Sequence, residues 1–401
     1  MMMDQNVVLN QHMNARRQIA MSEADPLGVR NEFPVTRRLL YLDAAHQAPL
    51  ADSVRRGIVT YLEESSASAG PKQRWLDRVA RVRDRVAEFL GAGSNEIAFT
   101  KNTSEGLNIA VNALPLEAGD NVLLIEGDHP NNAYAWLNLA RKGVEVRFIS
   151  LPDGAANAET FAPHIDERTR AISLSHVMFH AGHLNDLTSI GALCRQWGIY
   201  LVVDAMQSVG VLPIDVKSLG ISLLSAGCHK GLLTPQGLGL LYADECLTEL
   251  QPAYLALASL ASPPADLIAK PGDLALAPGA RRFELGNFNL LGIHALDCSL
   301  ALIERAGIER IREHVRLLGD RLLSHIDDLG IKLIGPRVRQ QRLHIYVLDL
   351  PVDEWLAYFD QQGVRVSPER DGIRISFGMF NQASDVDRFA EIVRARIAEQ
   401  P

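Results

Sequence analysis

Apolar residues recur at helical spacing over residues 52–62 and again over 75–90, with arginines and acids on the opposite face. That period predicts two amphipathic surface helices, separated by a loop at SSASAG (65–70) before Pro71. Downstream, short apolar runs at EIAF (96–99), VLLIEG (122–127), VRFISL (146–151), AISLSH (171–176) and YLVVDA (200–205) alternate with helical stretches through 135–143 and 189–198. Strands separated by helices cross over right-handedly and build a mainly parallel sheet, so the expected fold class is α/β. No polar residue interrupts 201–203 before Asp204, the mark of a strand buried on both faces.

A long helical stretch from residue 290 leads into a smaller unit, where 344–350 and 372–377 read as strands and 385–397 as the closing helix. At 401 residues the chain exceeds one ordinary core, and the pattern divides it into an arm (1–38), a large domain (39–289) and a small C-terminal domain (290–401). Residues 252–278, rich in Ala, Leu and Pro, are expected to be irregular and to border a substrate entrance. No apolar stretch approaches the ~20 residues of a membrane span. The net charge of −8 argues against a nucleic-acid or anionic-membrane partner. Cys194, Cys228, Cys246 and Cys298 offer neither a disulfide framework nor zinc spacing, which fits a reducing cytoplasm. The first 28 residues lack the apolar core of an export signal and read as a helix or a loose arm.

Chemistry enters with Lys230, 26 residues beyond Asp204 and preceded by the small-residue segment LLSAGCH (223–229). In open α/β sheets ligands bind at the carboxyl ends of the strands, where Asp204 falls. A pyridoxal ring needs a carboxylate to keep its nitrogen protonated and a lysine to hold its aldehyde as an imine, and this pair supplies both. Two residues alone leave a plainer reading open, with Asp204 capping the next helix and Lys230 solvated on a loop. TKNTSEGLN (100–108) stands between a strand and a helix start. It is either a phosphate cradle of free amides with hydroxyls from Thr103 and Ser104, or a capping box closed by Glu105.

TKNTSEGLN, GDHPNNAYAW (127–136), VVDAMQSVG (202–210), CHKGLLTPQGLG (228–239), RFELGNFN (282–289) and RISFGMFN (374–381) follow the order found in class V aminotransferases. From YLDAAHQAP (41–49) to its C-terminus the chain resembles that family, which includes cysteine desulfurases, isopenicillin N epimerase-like enzymes and carbon–sulfur lyases. The resemblance implies fold type I, with a seven-stranded, mainly parallel sheet in the large domain and an α+β small domain. It also implies pyridoxal 5′-phosphate as cofactor, a small amino acid as substrate and a homodimer with shared active sites. Lys230 would be the Schiff-base lysine and the proton carrier at Cα, Asp204 the partner of the pyridine nitrogen, and His129 the ring stacked on the cofactor. Arg374 would clamp the α-carboxylate, a task suited to its planar fork, although a rim salt bridge is the plainer role. Gln207 matches the residue bonded to the phenolic oxygen, and Thr103, Ser104 and His229 match phosphate ligands. Asn287 stands where relatives carry a threonine that reaches a neighbouring subunit's phosphate.

Several departures bear on the reaction. The desulfurases carry a catalytic cysteine shortly before the carboxylate-binding arginine, whereas GVRVSPERDGIRISF (363–377) contains none. Cys194 and Cys298 lie in helical contexts as core thiols, and Cys228 could approach only the phosphate side, so persulfide chemistry is not expected. Phe179 replaces an asparagine that touches the cofactor in the desulfurases. His180 and His183 flank it, either as substrate-directed acid or base or as loop residues bonded to backbone; His46 is a similar candidate. Gly227 replaces a phosphate-binding serine, leaving Ser225 as a possible substitute. His176, His180 and His183 loosely resemble a metal set, but no carboxylate or cysteine completes it and no metal is expected. A β-eliminating carbon–sulfur lyase is placed first, because it needs only the lysine and an acid for the leaving group. Transamination and epimerisation are the alternatives, and a non-catalytic scaffold is a remote one.

Overall fold

The computed structural model describes residues 25–151, 154–269, 272 and 274–399. The proposed helix or arm at the extreme N-terminus lies outside the described residues. Numbering strands along the chain, β1 (Leu40–Tyr41) precedes the large sheet of β2 (Ile97–Thr100), β3 (Asn121–Ile125), β4 (Glu145–Ile149), β5 (Thr169–Ser175), β6 (Tyr200–Asp204), β7 (Leu223–Gly227) and β8 (Gly239–Ala243). The order is β2-β8-β7-β6-β5-β3-β4; β3 to β7 run parallel, and β8 is antiparallel to both its neighbours. The apolar runs of β2 to β6 are therefore strands as expected. β7 and β8 are short and rich in Gly, Ala and Ser, and the period analysis did not separate them from loop.

Alternation divides the sheet between two cores. Val122, Leu124 and Val202 meet Leu107 and Val111 of the helix Thr103–Ala113 on one face. Leu123, Ile125, Leu201 and Val203 meet Ile190 and Cys194 of the helix Leu187–Trp197 on the other. The helix Leu290–Ala306, assigned from sequence to the start of the C-terminal unit, packs into this second core with Val54 and Val82.

A four-stranded antiparallel sheet, β12-β13-β10-β9, forms the second layer from β9 (Leu333–Ile334), β10 (Ile345–Leu348), β12 (Ser367–Glu369) and β13 (Gly372–Ser376). Its core joins Leu318, Leu322, Trp355, Phe359 and Phe389 from three helices. β11 (Val364–Arg365) pairs with β1, which ties the 41–49 loop to this layer.

The expected loop at 65–70 is mostly helix. The helix Asp52–Ser68 runs through the serines, Ser68 Oγ donates to the Glu64 carbonyl at 3.2 Å, and the chain turns only where Ala69 takes a left-handed φ of 51°. Serine and alanine tolerate a helix interior, and Pro71 sets the true stop. The described residues of 252–278 are largely irregular, as expected, with a short turn at Leu257–Ser259 and exposed Tyr254 and Leu267.

A buried ion pair fixes the edge of the large sheet. Arg83 Nη1 donates to Glu284 Oε1 at 2.7 Å and to the Ile97 carbonyl at 2.6 Å, while Glu284 Oε1 accepts the Phe99 amide at 3.0 Å. Arg83→Ala leaves Glu284 buried without its countercharge and should cost about 3–5 kcal/mol in denaturant unfolding. Arg83→Met with Glu284→Gln should recover part of that loss; an unchanged unfolding midpoint in the single variant would show the pair to be dispensable.

Candidate active site

The parallel strands deliver their chemistry to one edge. Asp204 ends β6, Ser175 ends β5 in register with it, His129 follows β3, and Lys230 stands three residues beyond the end of β7. Two adjoining cavities open there. One, of about 520 Å³, is lined by Thr103, Ser104, Asp204, Gln207 and His229; the other, of about 890 Å³, by His46, Glu369 and Arg374. His129, Phe179 and Lys230 border both.

Local chemistry explains each placement. His129 accepts the Asn131 amide on Nδ1 at 3.2 Å and so starts the helix Pro130–Leu137, whose proline needs no amide partner. Asp128, overlooked in the sequence, accepts the Ser175 amide at 2.7 Å and its hydroxyl at 2.6 Å, locking this turn to β5. His129 and Phe179 meet edge to face with ring centroids 5.0 Å apart.

At the phosphate-like end the helix Thr103–Ala113 is capped by Asn102, whose Oδ1 accepts the Glu105 amide at 2.9 Å. The cap is thus neither Thr103 nor Ser104, and both hydroxyls line the smaller cavity. Gly106 permits this docking, since a Cβ there would come within 2.2 Å of Ser225 Oγ. Ser225 donates its hydroxyl to the Thr103 carbonyl at 3.0 Å and is buried, so it does not replace the serine missing at Gly227. Met206 fills that space instead. Its Sδ accepts from Thr103 Oγ1 at 2.9 Å and from the Gly227 amide at 3.2 Å, and a Cβ at position 227 would lie 2.9 Å from it. The bulky residue inside DAMQ was the available signal.

Burial sets the electrostatics. It pushes the Asp204 carboxyl up to about 7, aided by Asp128 and opposed by the Met206 amide at 2.9 Å and by Lys230. It pulls the Lys230 amine down to about 8, with the Arg374 charge acting the same way and Asp204, Asp43 and Glu369 opposing. His229 falls to about 4 through burial, Lys230 and His46, and His129 is lowered by burial and Lys230. Gln207 donates from Nε2 to the Ala45 carbonyl at 2.9 Å, while its buried Oε1 has no partner among the described residues. His344, also overlooked, is buried at the start of β10 near Lys230 and Arg374 and driven to about 3, its Nδ1 unpartnered.

Other candidates are dispersed. Arg374 is buried and pairs with Glu369, so the ion-pair alternative is realised, inside a cavity wall rather than on a rim. His180 lies between Glu369 and Asp371, bonded to side chains rather than to backbone. His183 is lowered by burial and by His180, and it lines neither cavity. His176 faces a separate cavity with Asn185 and Leu212. Asn287 is exposed beside yet another, of about 350 Å³, that excludes Lys230. Neither of the two cavities at Lys230 is lined by a cysteine; Cys194 and Cys228 are buried, and burial drives Cys194 up to about 12.

Residues 40–389 match the family described as aminotransferase class-V. The chain belongs to that family. An uncharacterized aminotransferase of Schizosaccharomyces pombe is 36% identical over 374 residues, covering 91% of this chain and 94% of that one. A probable cysteine desulfurase of Methanothermobacter thermautotrophicus is 31% identical over 315 residues, 77% of each chain. Among solved structures, the cystine C–S lyase C-DES in complex with cysteine persulfide superposes with a TM-score of 0.82 at 24% identity, over 92% of this chain and 99% of the other. This class V protein is an enzyme of fold type I, and its cofactor is pyridoxal 5′-phosphate. The residues present fit that group: a buried acid, an amine of lowered basicity, and an orphaned amide oxygen surround a cavity that ends in hydroxyls and a helix start.

A lysine held near 8 is neutral above that value. Uptake of pyridoxal phosphate by cofactor-free protein, followed as borohydride-fixed label on Lys230, should rise about tenfold per pH unit and break near 8. A break at the ordinary lysine value would return Lys230 to solvent. Gly227→Ser should lower the cofactor content of the purified protein, and adding Met206→Ala should restore it. Equal content in all three proteins would uncouple the two positions.

Proposed function

We propose that this enzyme cleaves the carbon–sulfur bond of a cysteine-derived amino acid by β-elimination, converting it with one water into a thiol, pyruvate and ammonium. The observation that carries this reading is the hairpin β12–β13. The segment that holds a catalytic cysteine in the desulfurases here turns tightly through Arg370 and Asp371 and presents Glu369 to the larger cavity. With no thiolate there to take sulfur, the sulfur departs with its substituent.

Pyridoxal phosphate supplies, when bound, an aldehyde for the substrate amine and a ring that accepts the electrons left at Cα. In this reading the neutral amine of Lys230 would hold the cofactor's aldehyde carbon and, once freed by the substrate amine, would take the proton from Cα on its Nζ. Asp204 faces the ring nitrogen, and a cation there offsets the burial that now raises its carboxyl. His129 and Phe179 would wall the ring, Gln207 would meet its phenolic oxygen, and Thr103, Ser104 and His229 would receive the phosphate. Arg374 orients the substrate carboxylate. Of the three histidines considered for protonating the leaving sulfur, His46 alone lines the cavity with Lys230, so the role falls to it. The position of Asn287 beside a cavity apart from Lys230 supports a homodimer in which it serves the other copy's phosphate. A small-molecule substrate, with neither nucleic acid nor membrane as partner, and a cytoplasmic location complete the reading. No helix among the described residues is long and apolar enough to cross a membrane.

Transamination is the second reading, favoured by the name of the Schizosaccharomyces pombe relative. Incubation with S-substituted cysteines should release pyruvate and ammonium without any keto acid, and Lys230→Ala should abolish it. Turnover that requires a keto-acid acceptor would replace the lyase by an aminotransferase.

A further inference from the structure

A carboxylate already sits on the guanidinium that the proposed function gives to the substrate. Arg374 Nη1 donates to Glu369 Oε1 and, at 3.0 Å, to the Phe179 carbonyl. The contact is built into the hairpin. Ser367 opposes Arg374 and Glu369 opposes Gly372, so Glu369 lies diagonally across from Arg374 on the same face of β12–β13. Glu369 Oε2 is 3.3 Å from His180 Nδ1, and His180 Nε2 is 2.7 Å from Asp371 Oδ2.

We propose that Glu369 is a specificity-determining residue that occupies the substrate-carboxylate position on Arg374 and must release it before an amino acid can seat. This rests on the reading that Arg374 receives the α-carboxylate. Two carboxylates on one guanidinium repel, so a substrate offering little beyond its carboxylate displaces Glu369 poorly. Release does not strand Glu369, because His180 still holds its second oxygen and is itself anchored on Asp371.

The work of displacement must come from contacts remote from the reacting atoms. The cavity provides them. Its about 890 Å³ is far more than a cysteine side chain fills, and it extends from Lys230 to a mixed wall where Val352, Leu356 and Val366 stand among Asp353, Asp360 and Arg365. The substrate class is therefore cysteine carrying an extended substituent on sulfur, with free cysteine and short S-alkyl cysteines discriminated against.

3-(Benzylthio)propionate and 3-(methylthio)propionate keep the carboxylate and the sulfur arm but lack the amine, so they bind without reacting. Calorimetry on the holoenzyme should show the benzyl compound binding at least about tenfold more tightly than the methyl compound. Glu369→Gln should tighten both by about tenfold, the scale of one charged hydrogen bond, and Arg374→Ala should abolish both. Melting temperature and cofactor absorbance verify folding, and Glu369→Ala substitutes if the glutamine variant misfolds. Unchanged or weaker binding in a folded Glu369 variant, with Arg374→Ala still abolishing it, overturns the role of Glu369 while leaving Arg374 as the carboxylate site. Equal affinity for the two compounds in the wild type overturns the assigned substrate class. Undiminished binding in Arg374→Ala instead refutes the carboxylate site on which the proposal rests.

Discussion

The exclusion of water from two opposite charges at the ends of neighbouring strands is the constraint on which the site depends. β6 and β7 are paired in parallel, so Asp204 and the chain leading to Lys230 emerge side by side. Burial makes each less willing to ionise: the acid rises to about 7 and the amine falls to about 8. Neither group is comfortable alone in that place, and both become useful to a ligand that brings a ring nitrogen for one and an aldehyde for the other. The sheet accommodates this because its strands are apolar on both faces, and the discomfort is confined to the open edge where loops supply partners.

Several of the loops around these two groups are held by local backbone contacts. Asp128 ties the His129 turn to β5, Asn102 caps the helix under Thr103 and Ser104, and the His229 carbonyl accepts the Ala48 amide at 3.1 Å and Gln47 Nε2 at 3.2 Å. A site assembled from separate loops keeps its geometry because each loop end is satisfied locally. Met206 shows how one member can be exchanged. Its sulfur takes the hydroxyl of Thr103 and the amide of Gly227, and the side chain forgone at position 227 is the space it fills.

The apolar runs of β3 and β6 announced the parallel sheet, because burial on both faces leaves no polar alternation to confuse the period. β7 and β8 were hidden: small residues are needed where the helix Thr103–Ala113 presses on the sheet at Gly106, and they erase the strand signature. Lys230 and Asp204 stood out because a pyridoxal site demands an amine and an acid near strand ends, whereas His129 and Gln207, which line the same cavity, were reached only through the family resemblance. The sequence left open whether Ser225 replaces the missing serine, since register and close packing, which sequence does not display, turn its hydroxyl toward the Thr103 carbonyl. Glu369, Asp128 and His344 escaped notice for a related reason. Each acts through a contact across sheets or hairpins, and nothing in its own neighbourhood of the chain marks it.

Arg374 belongs to the small sheet and Lys230 to the large one, so the larger cavity exists only while the two layers are joined. Beside the contacts of Phe179 and His180 with Arg374, Glu369 and Asp371, three further connections hold them near it. β1 pairs with β11, the Ala45 amide donates to Ser376 Oγ at 2.8 Å, and Ser367 Oγ donates to Asp43 Oδ1 at 2.6 Å. All three run through the 40–49 segment, whose other side contacts His229 beside the lysine. That segment is short and mostly buried, and it touches the carboxylate end and the amine end of the cavity at once. Arg374 Nη2 lies 3.9 Å from Asp43, at the start of the loop that carries His46. Under the proposed lyase reading, the group that seats the carboxylate and the acid for the leaving sulfur therefore share one short segment, so their relative placement is set by how that segment packs.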